Sequence, residues 1–174
     1  MSPETKEILG QAISILATIV TIVSYQFNDK KKLLVAQTLS TALLSASYFF
    51  LGATSGFALN IVGILRNICF YFQPKEGKIP YFTGAFFSLA MGVVGAFSWQ
   101  GPISLLIILA LMVNAVCMSV LSAQGLRVSI LFTCSAILTY NILVFNVGAM
   151  LNEGFSIVSS AVGILRYRQK STEK

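Results

Sequence analysis

Val62-Gly63-Ile64-Leu65-Arg66 returns as Val162-Gly163-Ile164-Leu165-Arg166, each time near the end of an apolar segment that is the third of a triplet. The preceding segment of each triplet matches too: Thr41, Ser47 and Tyr48 fall without gaps on Thr133, Thr139 and Tyr140. A Thr and a Tyr thus share one helical face in both copies. The pentapeptide also brings Asn60 onto Ser160, a polar residue in the middle of each third segment. The pattern is that of one three-segment unit used twice.

Composition sets the solvent. At 56% hydrophobic, 10% charged and a mean hydropathy of +0.81, the 174 residues describe an integral membrane protein and exclude an ordinary soluble domain. Apolar stretches run over approximately residues 8–26, 33–51, 56–73, 81–99, 103–121, 128–145 and 149–166. Each is close to the ~20 residues that cross a bilayer as a helix. Period-two alternation is absent and the segments are too long for barrel strands, so the expected fold is all-α with seven transmembrane helices.

Charge predicts the orientation, because Lys and Arg near span ends collect on the cytoplasmic side. Lys30, Lys31, Lys32, Arg66, Lys75, Lys78, Arg127, Arg166, Arg168, Lys170 and Lys174 fall on one face if every segment crosses, and Lys6 alone falls opposite. The expectation is N-terminus out and C-terminus in. The net charge of +6 therefore orients the chain and contacts lipid, and no nucleic-acid partner is expected. The first segment lacks a basic leader and a cleavage pattern, so it is read as a retained helix. Cys69, Cys117 and Cys134 form neither a disulfide framework nor a metal motif and are read as packing residues.

Residues 1–73 are read as the first three-helix repeat, 74–99 as a loop and linker helix, and 100–174 as the second repeat with a basic cytoplasmic tail. An odd linker makes the two triplets parallel. This 3+1+3 pattern resembles the SWEET and PQ-loop transporters. More closely, Leu59-Asn60-Ile61-Val62-Gly63-Ile64-Leu65-Arg66-Asn67 and Ser24-Tyr25-Gln26-Phe27-Asn28-Asp29-Lys30-Lys31-Lys32 resemble the YgjV-type family of small bacterial inner-membrane proteins. The resemblance implies a SWEET-like fold in a bacterial inner membrane. One departure is plain: Pro3, Pro74, Pro80 and Pro102 all lie outside the spans, so no proline hinge is available, and Gly92 and Gly95 remain as points of bending.

Candidate chemistry is sparse. Glu4, Glu7, Asp29, Glu76, Glu153 and Glu173 are assigned to tails or loops, and the chain has no histidine. A membrane-embedded enzyme and proton-driven movement through a buried carboxylate are therefore not expected, nor is a metal or cofactor. Asn60, Asn114 and Asn141 lie well inside spans, where an amide needs a partner helix, water or a solute. The SWEET resemblance implies substrate contact by Asn60 and, at the matching place in the seventh helix, Ser160 or Ser159; hydrogen bonding between helices is the alternative. Asn60, Gly63 and Asn67 share one face, as do Thr41, Ser45 and Tyr48, and either a cavity wall or close packing explains such a stripe.

The repeat places Arg66 and Arg166 at equivalent depth, where two facing guanidiniums would attract an anion or gate a path. Snorkelling into headgroups is the alternative. The reading that results is a passive permease for a small polar solute such as a sugar or organic acid, surrounded by membrane lipid, with its oligomeric state open. Its rival is a scaffold that kept the bundle without transporting.

Overall fold

The computed structural model describes residues 2–24, 30–72, 81–120 and 123–172, with some side chains at helix ends, Arg166 among them, outside the described residues. Regular structure in these residues is helical: α1 (Pro3–Ser24), α2 (Lys30–Phe50), α3 (Thr54–Tyr71), α4 (Tyr81–Phe97), α5 (Ser104–Val120), α6 (Ala123–Leu143) and α7 (Val147–Thr172). Each expected segment holds one helix. By length and hydropathy alone, α1 passes as a membrane span over Pro3–Val23, and Phe82–Phe97, Ser104–Ser119 and Val128–Leu143 are shorter apolar helices. Buried polar residues are Ser40, Ser45 and Ser47 in α2, Ser55 and Asn67 in α3, and Asn152 and Ser160 in α7.

Many polar side chains are buried and many large apolar ones are exposed. Ser14, Ser40, Ser47, Ser55, Asn141 and Asn146 are buried, whereas Ile8, Phe72, Phe82, Phe132 and Leu165 are exposed, and Phe97 is 90% exposed. Water would penalise so much bare apolar surface, and lipid does not. Without a hydrophobic drive between helices, small residues and hydrogen bonds hold the bundle.

The helices close into a ring: α1 packs on α2, α2 on α3, α3 on α5, α5 on α6, α6 on α7, and α7 back on α1. α4 lies outside it against α5 and α3. A Cβ on Gly95 would sit 2.6 Å from Ile108 Cγ1, and one on Gly92 3.1 Å from Met112 Cε. The two glycines expected to permit bending are thus where α4 closes on α5.

The α2–α3 and α6–α7 turns lie at one end of the ring and share one geometry. Gly52, at φ +72°, donates from its N–H to Phe49 O (3.2 Å), and Ala53 N–H to Tyr48 O (2.9 Å), a left-handed cap that satisfies the last carbonyls of α2. In the second turn Phe145, at φ +54°, stands where Gly52 stands, with Phe145 N–H on Ile142 O (3.2 Å) and Asn146 N–H on Asn141 O (2.9 Å). Asn146 then caps α7 by accepting from Ala149 N–H at 3.1 Å. Because a side chain at positive φ costs about 1 kcal/mol or more, Phe145→Gly is expected to raise resistance to denaturation by about that amount, read from unfolding in mixed micelles.

A glutamine ties each turn to the neighbouring unit. Gln11 on α1 donates from Nε2 to Phe145 O and accepts from Val147 N–H (2.9 Å), while Gln100 donates from Nε2 to Gly52 O (2.9 Å) and accepts from Ser55 N–H (3.2 Å). Beside the first of these clamps, Thr18 Oγ1 donates to Gly148 O at 2.6 Å, fastening α1 to α7.

Candidate functional site

Inside the ring, in the half away from the turns, lies a cavity of about 510 Å³. All six ring helices line it: Thr21 from α1, Gln37, Ser40 and Thr41 from α2, Arg66 and Asn67 from α3, Asn114 from α5, Cys134 from α6, and Asn152, Glu153, Ser156, Ser159 and Ser160 from α7. The α7 residues recur at three- and four-residue steps, which puts them on one helical face. Leu44, Leu111, Met118, Ile130 and Ile137 complete the wall.

A buried layer seals the turn end. Tyr48 OH donates to Asn141 Oδ1 at 2.5 Å, Gly56 N–H donates to Tyr140 OH at 3.1 Å, and the two tyrosine rings lie 6.1 Å apart. Asn146 Nδ2 donates to Ser47 Oγ at 3.1 Å, which ties the α6–α7 turn to α2. Tyr48, Tyr140, Asn141 and Asn146 are almost wholly buried, so this layer is packed shut.

An arginine and a glutamate face the cavity from different walls. Arg66 donates from Nη1 to Asn114 Oδ1 at 3.4 Å, and from Nε and Nη2 to Asn67 Oδ1 at 3.4 and 3.3 Å. These bonds are long for charge-assisted ones and hold the guanidinium loosely. Glu153 accepts from Asn152 Nδ2 at 3.2 Å, with Cys134 beside it. Among the described residues no ion pair joins Arg66 to Glu153. Asn152, 9% exposed, keeps its Oδ1 buried without a hydrogen-bond partner among the described residues.

Glu153 is the residue that sequence reasoning missed. It was expected in a loop, but it lies six residues after Val147 within α7 and faces the cavity. The signal was its place inside the 149–166 apolar stretch. Ser160, Asn114 and Arg66 line the cavity. Asn60 does not: its Nδ2 donates to Gly56 O on its own helix at 2.7 Å. Asn141 belongs to the tyrosine layer, and the side chain of Arg166 lies outside the described residues.

The structure also relates the two turns by a different step from the one the pentapeptide suggests. Tyr48 and Asn141 occupy the same place in their turns, 93 residues apart. The same step relates cavity residues Thr21 to Asn114, Gln37 to Ile130, Thr41 to Cys134, Leu44 to Ile137, Arg66 to Ser159 and Asn67 to Ser160. Tyr48 therefore corresponds to Asn141 rather than Tyr140, and Asn60 to Glu153 rather than Ser160. Arg66 comes twelve residues after the start of α3 and Arg166 nineteen after the start of α7, so the two arginines are separated in depth by roughly 10 Å of helix rise. The shared pentapeptide also sits on different faces: Val62 is 7% exposed and Val162 42%.

A ring of helices with an apolar outside, a polar inside and an internal cavity defines a multi-pass membrane protein. The chain belongs to the Imp-YgjV family, described as bacterial inner membrane protein, which matches residues 8–171. It is a bacterial inner-membrane protein. No curated protein and no solved structure matches it, so the YgjV-type resemblance stands on the family match and the SWEET and PQ-loop likeness has no matched structure behind it.

Proposed function

We propose that the chain is a small-molecule permease of the inner membrane, with the cavity between two parallel three-helix units as its solute site and the tyrosine layer as its closed outer gate. The observation that carries this reading is a space of about 510 Å³, within the range of small-ligand sites, to which all six ring helices contribute side chains and five of them more than one, polar ones from each, inside a bundle whose other end is shut. A scaffold gains nothing from turning polar residues of six helices toward a common space, since close packing is what holds helices in lipid. The basic residues read from the sequence put the cavity on the cytoplasmic side and the tyrosine layer outside, with α4 as the linker that makes the units parallel. The passive mode loses its basis, because Glu153 supplies the intramembrane carboxylate whose absence had argued for it.

Single cysteines at Ser160 and at Asn60, in a chain whose three native cysteines are replaced, test the path. A membrane-impermeant thiol reagent is expected to modify the Ser160→Cys chain from the cytoplasmic side and not from outside, and to leave Asn60→Cys slow from both. If Ser160→Cys is reached from neither side in right-side-out and inverted vesicles, the permease reading fails.

A further inference from the structure

The two halves of the cavity are related in position but not in chemistry. Arg66 on α3 has Ser159 as its counterpart on α7, and Glu153 on α7 has Asn60 on α3, so one unit carries the cation and the other the anion. Counted from their turns, the Cα atoms of Arg66 and Glu153 stand about 9 Å apart along the bundle. A salt bridge between them would explain both as structural, but among the described residues each hydrogen-bonds to neutral amides instead.

Hydrogen-bonding sense sharpens the polarity. At the Arg66 pole, the Oδ1 atoms of Asn67 and Asn114 are turned to the guanidinium, which leaves their Nδ2 groups as further donors. That pole offers donors and positive charge, the complement of a carboxylate, which only accepts. At the Glu153 pole, Asn152 spends its Nδ2 on the carboxylate and leaves Oδ1 buried and unpartnered beside it. That pole offers acceptors and negative charge, the complement of an ammonium, which only donates. A buried acceptor without a donor is costly, and a ligand ammonium is a donor of the right charge.

We propose that the solute is a small zwitterion, an amine and a carboxylate on one short skeleton, held with its carboxylate at Arg66, Asn67 and Asn114 and its ammonium at Glu153 and Asn152. This rests on the permease reading for the purpose of the cavity, and on the polar arrangement alone for the class of ligand. A sugar leaves both charges unmatched, and a simple carboxylate leaves Glu153 facing like charge.

The test uses the full chain in lipid nanodiscs, with binding read from heat and from ligand-induced thermal stabilisation. The probes are glycine, L-serine and γ-aminobutyrate, set against lactate, ethanolamine and glucose. At least one zwitterion is expected to bind tenfold or more tightly than lactate, ethanolamine and glucose. Glu153→Gln is expected to weaken zwitterion binding at least tenfold and raise relative affinity for lactate; Arg66→Gln is expected to shift preference toward ethanolamine. The wild-type ranking is informative even where a variant fails to fold. Glucose or lactate binding as well as every zwitterion, or no zwitterion binding at all, overturns the proposal. Uptake into proteoliposomes separates the two readings: zwitterions that bind without entering leave the ligand class standing and remove the permease, whereas entry of sugars alone does the reverse.

Discussion

Gly148→Ala is expected to break the joint between α1 and α7 and to lower stability by about 3 kcal/mol, the upper end of what overpacking a close contact costs. A Cβ there would lie 2.5 Å from Ile15 N and nearer still to the carbonyl carbon of Ser14, so the obstacle is backbone and no rotamer can relieve it. The helices would have to move apart by about 1 Å to restore carbon contacts of about 3.5 Å. That movement stretches the Thr18 bond to Gly148 O and the Gln11 clamp on the α6–α7 turn. Gly154→Ala in the same helix is the control, since its Cβ meets nothing within 4 Å. It is expected to leave stability unchanged or raise it by up to about 1 kcal/mol, as Ala replaces Gly in a helix interior. Unfolding in mixed micelles reads both, and equal loss in the two variants would show that the α1–α7 approach does not hold the ring closed.

Removing the Tyr140 ring has the second large effect. Tyr140 is 2% exposed, lies tilted against the Tyr48 ring and accepts from Gly56 N–H, so Tyr140→Ala leaves a cavity in the sealed layer and an unpaired backbone donor. A loss of about 3–5 kcal/mol is expected, as for other buried aromatic truncations. Tyr140→Phe keeps the ring and loses one acceptor, so about 1 kcal/mol is expected. The two variants also differ in access. With the single cysteine at Ser160, Tyr140→Ala should let an impermeant reagent enter from outside, while Tyr140→Phe should stay closed to it. If outside labelling is unchanged in Tyr140→Ala, the tyrosine layer is not the barrier.

Much of the bundle was legible from residues alone, and the misreadings share one cause. Apolar length found all seven helices, and Gly52 and Asn146 mark the turns between α2 and α3 and between α6 and α7. The register of the two units was not legible. Lipid-facing positions such as Leu65 and Leu165 accept almost any large apolar residue, so a match among them carries little positional information. Turn geometry carries more, because one extra residue would rotate every following side chain by about 100°. Of the candidate site, Arg66, Asn114 and Ser160 reach the cavity. Asn60 and Asn141 differ because a buried amide is satisfied equally well by its own helix, a neighbouring tyrosine or a ligand, and only packing chooses among these.

The amino-acid sequence by itself determined that this protein is helical and lives in a membrane, because apolar length and backbone satisfaction depend on local residues alone. The tertiary structure decided which polar residues meet. It brought Glu153 into the cavity with Arg66, set Asn141 against Tyr48 and placed the shared pentapeptide at different depths. Those outcomes depend on how six helices rotate against one another, and a helix with polar residues on more than one face does not fix its own rotation.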